Sequence, residues 1–193
     1  MRKTIVFFTI SLDGCFEGPN HDLTWHNVDD EFNKFAIEQL HETGLILFGR
    51  RTYQLMEGFW PDVELDPKST KDDFEVAHLM NTIPKIVFST TLKDVKESKV
   101  WKNIQLRNKL DINEIKKLKG MSGKDIWVGG SDLAVSLMEE DLIDEIRAMV
   151  NPLVLGKGRP LFDGTPKKVK LKLLKTRTFE SGNVLLCYEP VLS

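Results

Sequence analysis

Cysteine is almost missing from this chain of 193 residues, which carries only Cys15 and Cys187. Two cysteines cannot build a disulfide framework, and neither stands in a Cys-x-x-Cys or a Cys/His cluster of the kind that holds zinc. No metal site is expected, and sparse cysteine fits a reducing, cytoplasmic setting. An excess of charge of one sign is missing too. Against 27 Lys and Arg stand 29 Asp and Glu, a net charge of −2, so the broad basic footprint of a nucleic-acid binder is absent. The local lysine run "KKVKLKLLK", from Lys167 to Lys175, alternates with Val169, Leu171 and Leu173 and reads as a strand with one solvated face.

Long hydrophobic runs are also lacking. The opening "MRKTIVFFTISLDG" has the basic start of a secretory leader, yet its apolar run from Ile5 to Phe8 is short and gives way to Ser11 and Asp13. A leader needs about 7 to 15 apolar residues and a small-residue cleavage site, so this stretch reads as a first strand. No segment approaches the roughly 20 apolar residues of a membrane-spanning helix, and no membrane partner is expected. Internal repeats and low-complexity tracts are absent. The length suits one domain over 1–193.

Short apolar runs rich in β-branched and aromatic residues alternate with segments of helical period. Strands are expected at 4–10, 45–48, 85–89, 104–107, 126–128 and 145–150, and helices at 29–41, 52–57, 72–81, 112–119 and 131–140. Such alternation argues for a three-layer α/β domain with a mainly parallel sheet. The end of the chain differs: runs at 169–178 and 183–189 flank Ser181, Gly182 and Asn183, which reads as a closing antiparallel hairpin and makes the sheet mixed. The polar excursion 64–73 is expected to be a surface loop or a lid.

Three places repeat one local logic. "IWVGGSDLAVSL" sets Gly129 and Gly130 between a strand and a helix, "LILFGRRTY" sets Gly49 before Arg50, Arg51 and Thr52, and "IVFSTTL" ends a strand on Ser89 and Thr90. Each, alone, is explained by a turn or a helix cap. Helix starts also offer unpaired N–H groups, arginine adds charge-assisted contacts, and ligands gather at the carboxyl ends of strands in α/β sheets. Together the three suggest a dinucleotide phosphate, with the arginines favouring a 2′-phosphorylated cofactor. "GMSGKD" lacks the spacing and hydroxyl residue of a P-loop, and "LGKGRPLF" lacks the third glycine of a dinucleotide fingerprint.

The ordered set "FTISLDG", "LFGRRTY", "IVFST", "VGGSDLAVSLMEEDLIDE" and "NPLVLGKGRPLF" resembles the dihydrofolate reductase-like superfamily. It is most similar to stand-alone relatives of the C-terminal reductase domain of the bifunctional riboflavin-biosynthesis deaminase/reductase. That resemblance implies a sheet flanked by helices on both faces, NADPH across the strand ends, and a homodimer. By the same resemblance, Gly49, Arg50, Arg51 and Thr52 take phosphate, Ser89 and Thr90 lie near the adenosine 2′-phosphate, and Gly129, Gly130, Ser131 and Leu133 meet the pyrophosphate. The His-x-Glu and Pro-Cys-x-x-Cys signature of the zinc deaminase is absent from the chain.

The expected chemistry is hydride transfer to a C=N or C=O of a small planar heterocycle of pterin or aminopyrimidine type. "WHNVDDEFNKF" offers Asp30 as the catalytic carboxylate, with Asp29 and Glu31 as alternatives that also bind substrate. The same acidic cluster suits a helix N-terminus. Asp13 shapes a substrate loop or makes an Asp-Gly turn, and Trp25 and Trp60 form flat substrate walls or belong to the core. Two other functions fit the sequence. One is a nucleotide-binding protein of the same fold without turnover; the other is an interaction module that self-associates through the apolar helix at 133–138 or the final hairpin.

Overall fold

The computed structural model describes residues 1–165 and 168–191; Lys167, the first lysine of the basic run, lies outside them. Its strands are β1 (Thr4–Ser11), β2 (Cys15–Glu17), β3 (Thr43–Gly49), β4 (Lys85–Phe88), β5 (Ile104–Arg107), β6 (Asp125–Gly129), β7 (Glu145–Asn151), β8 (Arg159–Pro160), β9 (Lys170–Thr178) and β10 (Val184–Val191). The helices are α1 (Asp30–Glu42), α2 (Arg50–Glu57), α3 (Trp60–Leu65), α4 (Lys71–Thr82), α5 (Ile112–Gly120) and α6 (Ser131–Glu139).

Alternation along the strands creates two buried faces. In β3, Leu45 and Leu47 join one core while Ile46 and Phe48 join the other. The first core packs Ile115 of α5 and Leu133 and Leu137 of α6 against Val6, Leu47, Ile86, Val128 and Ile146. Across the sheet, Tyr53 of α2 and Val76 and Met80 of α4 cover Ile46, Phe48 and Val87, and Phe35 of α1 meets Met149, Leu185 and Cys187. Each such side chain, fully buried, contributes about 1.5–3 kcal/mol of transfer free energy. Helices on both faces of one sheet make three layers.

The eight-stranded sheet runs β5-β4-β3-β6-β1-β7-β10-β9. Its first six strands are mutually parallel, and β10 lies antiparallel to both β7 and β9. The mixed, mainly parallel sheet and the closing hairpin are as expected. The excursion expected at 64–73 is instead the end of α3, a turn over 66–70 and the first turn of α4, where Thr70 and Asp73 form a reciprocal capping box. Helix α3 and the small β2–β8 ribbon were not anticipated, because six, three and two residues are too few to display a period.

Candidate functional site

Registers put the three glycine and hydroxyl clusters in one row. On neighbouring strands, Gly49 pairs with Phe88, and Phe48 pairs with Gly129. Gly49, Ser89 and Gly129-Gly130 therefore line the carboxyl edge of β4, β3 and β6, about 10 Å across at roughly 4.8 Å per strand. From β3 the chain turns toward β4 and lays α2 and α4 on one face; from β6 it turns the other way, toward β7, and lays α6 on the opposite face. Connections that diverge from adjacent strands open a crevice between them, the place where α/β sheets bind ligands.

The two helix starts in this row are glycine starts, unlike those of the longer helices α1, α4 and α5 and of the short α3, which follows Phe59 and also has no side-chain cap. Helices α1, α4 and α5 are capped by the side chains of Asp29, Thr70 and Asp111. Helices α2 and α6 start at Gly49 and Gly130, with no side-chain cap. Their first-turn N–H groups thus lack the side-chain acceptor present at α1, α4 and α5.

Gly129 and Gly130 also answer a packing demand. A Cβ on Gly129 would stand 2.6 Å from Cε1 of Phe48, a ring only 1% exposed. Gly130 has φ +109°, and its Cβ would stand 2.7 Å from Oγ1 of Thr52. The pair lets β6 close onto the start of α2, so the turn places the two bare helix starts side by side. The structure thereby brings Thr52 to Gly129 and Gly130.

Around the row, Arg50 is half-buried and donates to Oε1 of Gln54 at 3.1 Å, while Arg51 and Thr90 are exposed. The buried Ser89 hydroxyl accepts from the amides of Thr91 and Leu92 at 3.2 and 2.9 Å, so it shapes its own turn. Ser131 is buried, and the Leu133 side chain lies in the core, which leaves its N–H as the group facing the helix start.

Beyond the row the sheet has a step. Val128 pairs with Val6 near the end of β6, whereas β1 and β7 continue until Ser11 pairs with Asn151. Residues 8–11 of β1 thus rise about 13 Å past Gly129, at roughly 3.3 Å per residue. The acidic turn stands at the far side of this ledge, since the Asn27 amide donates to Oδ1 of Asn151 at 2.7 Å.

Its three carboxylates are not equivalent. Asp29 accepts from the Phe32 amide at 2.7 Å as the cap of α1, and this bond holds its pKa below the ordinary carboxylate value. Glu31 accepts from the Glu180 amide at 3.0 Å and from Arg177 at 3.1 Å, and both lower its pKa. Asp30 is exposed and has no hydrogen bond or ion pair among the described residues. The three line an open depression with Lys34 and Glu180.

Asp13 accepts from the amides of Leu155 and Gly156 at 3.0 and 2.8 Å, tying the "SLDG" turn to the "LGKGRPLF" loop. The Ser11 hydroxyl and these two amides hold its carboxyl down to about 2. Trp25 precedes the acidic turn and donates from Nε1 to the Asp22 carbonyl at 3.0 Å. Trp60 sits elsewhere, on α3, with Nε1 toward Sδ of Met56 at 3.0 Å and its ring against the α2–α4 core. Trp60 thus belongs to the α2–α4 core, while Trp25 adjoins the acidic turn along the chain and its ring packs against His26. No cluster of His, Cys, Asp and Glu among the described residues could hold a metal.

Buried charge also occurs at the opposite edge of the sheet. Nζ of Lys85 donates to the carbonyls of Asn81, Ile83 and Lys102 and lies 4.4 Å from the Trp101 ring centroid, and burial pushes its pKa down to about 7. Lys85 anchors the connection between β4 and β5 there. It lies at the amino end of β4, away from the row, and takes no part in it.

Known proteins share this fold. The RibD C-terminal domain family matches residues 2–185, and the chain belongs to that family. YyaP of Bacillus subtilis (strain 168) is 34% identical over 188 residues, covering 97% of this chain and 94% of its own. A protein of Shewanella sp. PV-4 named for riboflavin biosynthesis superposes with a TM-score of 0.71 at 22% identity, over 98% of this chain and 99% of its own. Dihydrofolate reductase from Enterococcus faecalis, complexed with NADP(H), gives 0.61 at 14% identity, over 97% and 96%. The fold is dihydrofolate reductase-like. No helix among the described residues is long and apolar enough to cross a membrane.

Proposed function

We propose that this protein is an NADPH-dependent reductase that delivers hydride to a C=N or C=O of a small planar heterocycle. The observation carrying this reading is the row itself: two uncapped helix starts, set side by side at a crevice, with Arg50 and Arg51 opening one of them. The residues fit the group, because the ideal Cβ of Gly49 meets no atom within 4 Å, which leaves open space at the start of α2. Gly49, Arg50, Arg51 and Thr52 hold phosphate, Gly129, Gly130, Ser131 and the Leu133 amide hold the pyrophosphate, and Ser89 and Thr90 flank the adenosine end. When bound, the dihydronicotinamide supplies the hydride.

Asp30 is the carboxylate of this turn with no partner to leave among the described residues, so it serves the acceptor, hydrogen-bonding an amino-heterocycle and favouring its protonated, more electrophilic form. Trp25 supplies an apolar wall beside it. Asp13 holds the loop bordering the ledge. Self-association as a homodimer belongs to the same reading and is supported by β9, an edge strand that leaves Leu171, Leu173 and Leu174 exposed. Two buried free cysteines suit a reducing cytoplasm.

The test is NADPH oxidation across pterins, aminopyrimidines and small carbonyls. At least one planar acceptor should be reduced, and Asp30→Asn should lower kcat/KM for it by about a hundredfold or more while NADPH still binds. Binding without oxidation by any acceptor would instead indicate a nucleotide-binding protein without turnover. Absence of any NADPH-induced thermal shift would point to an interaction module.

A further inference from the structure

The closing hairpin does more than finish the sheet. Its turn, residues 179–183, meets the segment that leads into α1. Nδ2 of Asn27 donates to the Ser181 carbonyl at 3.0 Å, and Nδ2 of Asn183 donates to the Asn27 carbonyl at 2.8 Å. Two residues past the α1 cap, Glu31 takes the Glu180 amide and the Arg177 guanidinium. That guanidinium also reaches Glu38 at 3.5 Å and packs 4.5 Å from the Phe179 ring centroid. From the sheet side, Asn151 fixes the Asn27 amide.

This lattice is costly. Asn151 and Asn183 are both 0% exposed, and Oδ1 of Asn183 is buried without a hydrogen-bond partner among the described residues. A partly satisfied buried polar network stabilises less than an apolar cluster of the same shape would. Apolar packing would close the hairpin equally well, but it would not fix the backbone of residues 27–31 in one place. Asp30 lies inside that interval and has no anchor of its own, so its position is set by its neighbours on both sides.

We infer that Asn27, Asn183 and Arg177 are positioning residues, through which the hairpin turn fixes the acidic first turn of α1 at the acceptor end of the crevice. The inference rests on the reductase reading for its functional consequence, though its structural content stands without it. The hairpin and the cofactor row lie at opposite ends of the carboxyl edge, separated by β1 and β7, so the positioning acts on acceptor and not on NADPH.

Hydrogen–deuterium exchange and kinetics on Arg177→Gln and Asn183→Ala test this. Amides of residues 27–35 should exchange about tenfold faster, with β1, β3 and β6 unchanged. NADPH affinity should stay within about twofold of wild type, and KM for the acceptor should rise about fivefold or more. Arg177→Lys should restore much of both effects. Uniformly faster exchange, unchanged exchange at 27–35, or an NADPH affinity loss equal to the acceptor loss would overturn the inference. Should Asn183→Ala fail to fold, Arg177→Gln, at a half-exposed site that keeps its aliphatic stem, decides alone. A wild type that reduces nothing would sink the reductase reading and leave the exchange result to judge the hairpin.

Discussion

At the β3–β6 end of the carboxyl edge, α2 and α6 begin at glycines with no side-chain cap. At the β7–β10 end, α1 begins at Asp29, is tied by Glu31 to Arg177 and Glu180, and follows an asparagine lattice. One region leaves its donors free and spends its packing precision on bringing them together. The other ties its backbone through a polar lattice and leaves the exposed Asp30 carboxylate without a partner among the described residues. Unused, preorganised N–H groups suit a ligand that brings negative charge, because little ordering remains to be done on binding. A single free carboxylate on a fixed backbone suits a reacting partner that brings its own hydrogen-bonding edge.

Breaking the first region should have the larger effect, and a pair of glycine variants separates fold from ligand. Gly130→Ala meets both a positive φ and the Thr52 hydroxyl, and should cost about 1–3 kcal/mol, seen as a fall of several degrees in Tm. Gly49 has φ −75° and open space at its Cβ, so Gly49→Ala should barely move Tm yet weaken NADPH binding by filling the space at the start of α2. Unaltered affinity in a well-folded Gly49→Ala protein would mean that the space is not a phosphate site.

A smaller effect probes the loop that borders the ledge between the two regions. The Asp13 carboxyl is held at about 2, below its unfolded value, so the folded state favours the carboxylate. The stabilisation is fully present above the ordinary carboxylate range near pH 4 and is lost as pH falls toward 2. Asp13→Asn should flatten the acid limb of a stability–pH curve between about pH 4 and 2 relative to wild type. An identical acid limb would show that the tie to Leu155 and Gly156 contributes nothing in solution.

Much of the frame was legible in the sequence, because buried strands and amphipathic helices write their periods over several residues. Thr43–Gly49 and Asp30–Glu42 are examples. The clustering of Gly49, Ser89 and Gly129 at strand ends was legible for the same reason. Their alignment in one row depends on register, which no local pattern fixes. The bare helix starts had a readable signal in hindsight, since neither α2 nor α6 is preceded by Ser, Thr, Asp or Asn.

The three acidic residues could not be told apart, because what distinguishes Glu31 from Asp30 is a hairpin 146 and 149 residues away along the chain. Trp60 joins the core rather than the acidic turn for a similar reason. A six-residue helix that the sequence does not announce carries it onto the α2–α4 face.

The most direct measurement is the affinity of wild type and Arg50→Ala for NADPH and NADH, by calorimetry at fixed ionic strength. Wild type should prefer NADPH, and Arg50→Ala should lose about tenfold or more for NADPH, consistent with the 1.5–3 kcal/mol of a charged hydrogen bond, with a much smaller loss for NADH. Equal losses for both, or no binding of either nucleotide by the wild type, would contradict the assignment of the β3–β6 row as the cofactor phosphate site.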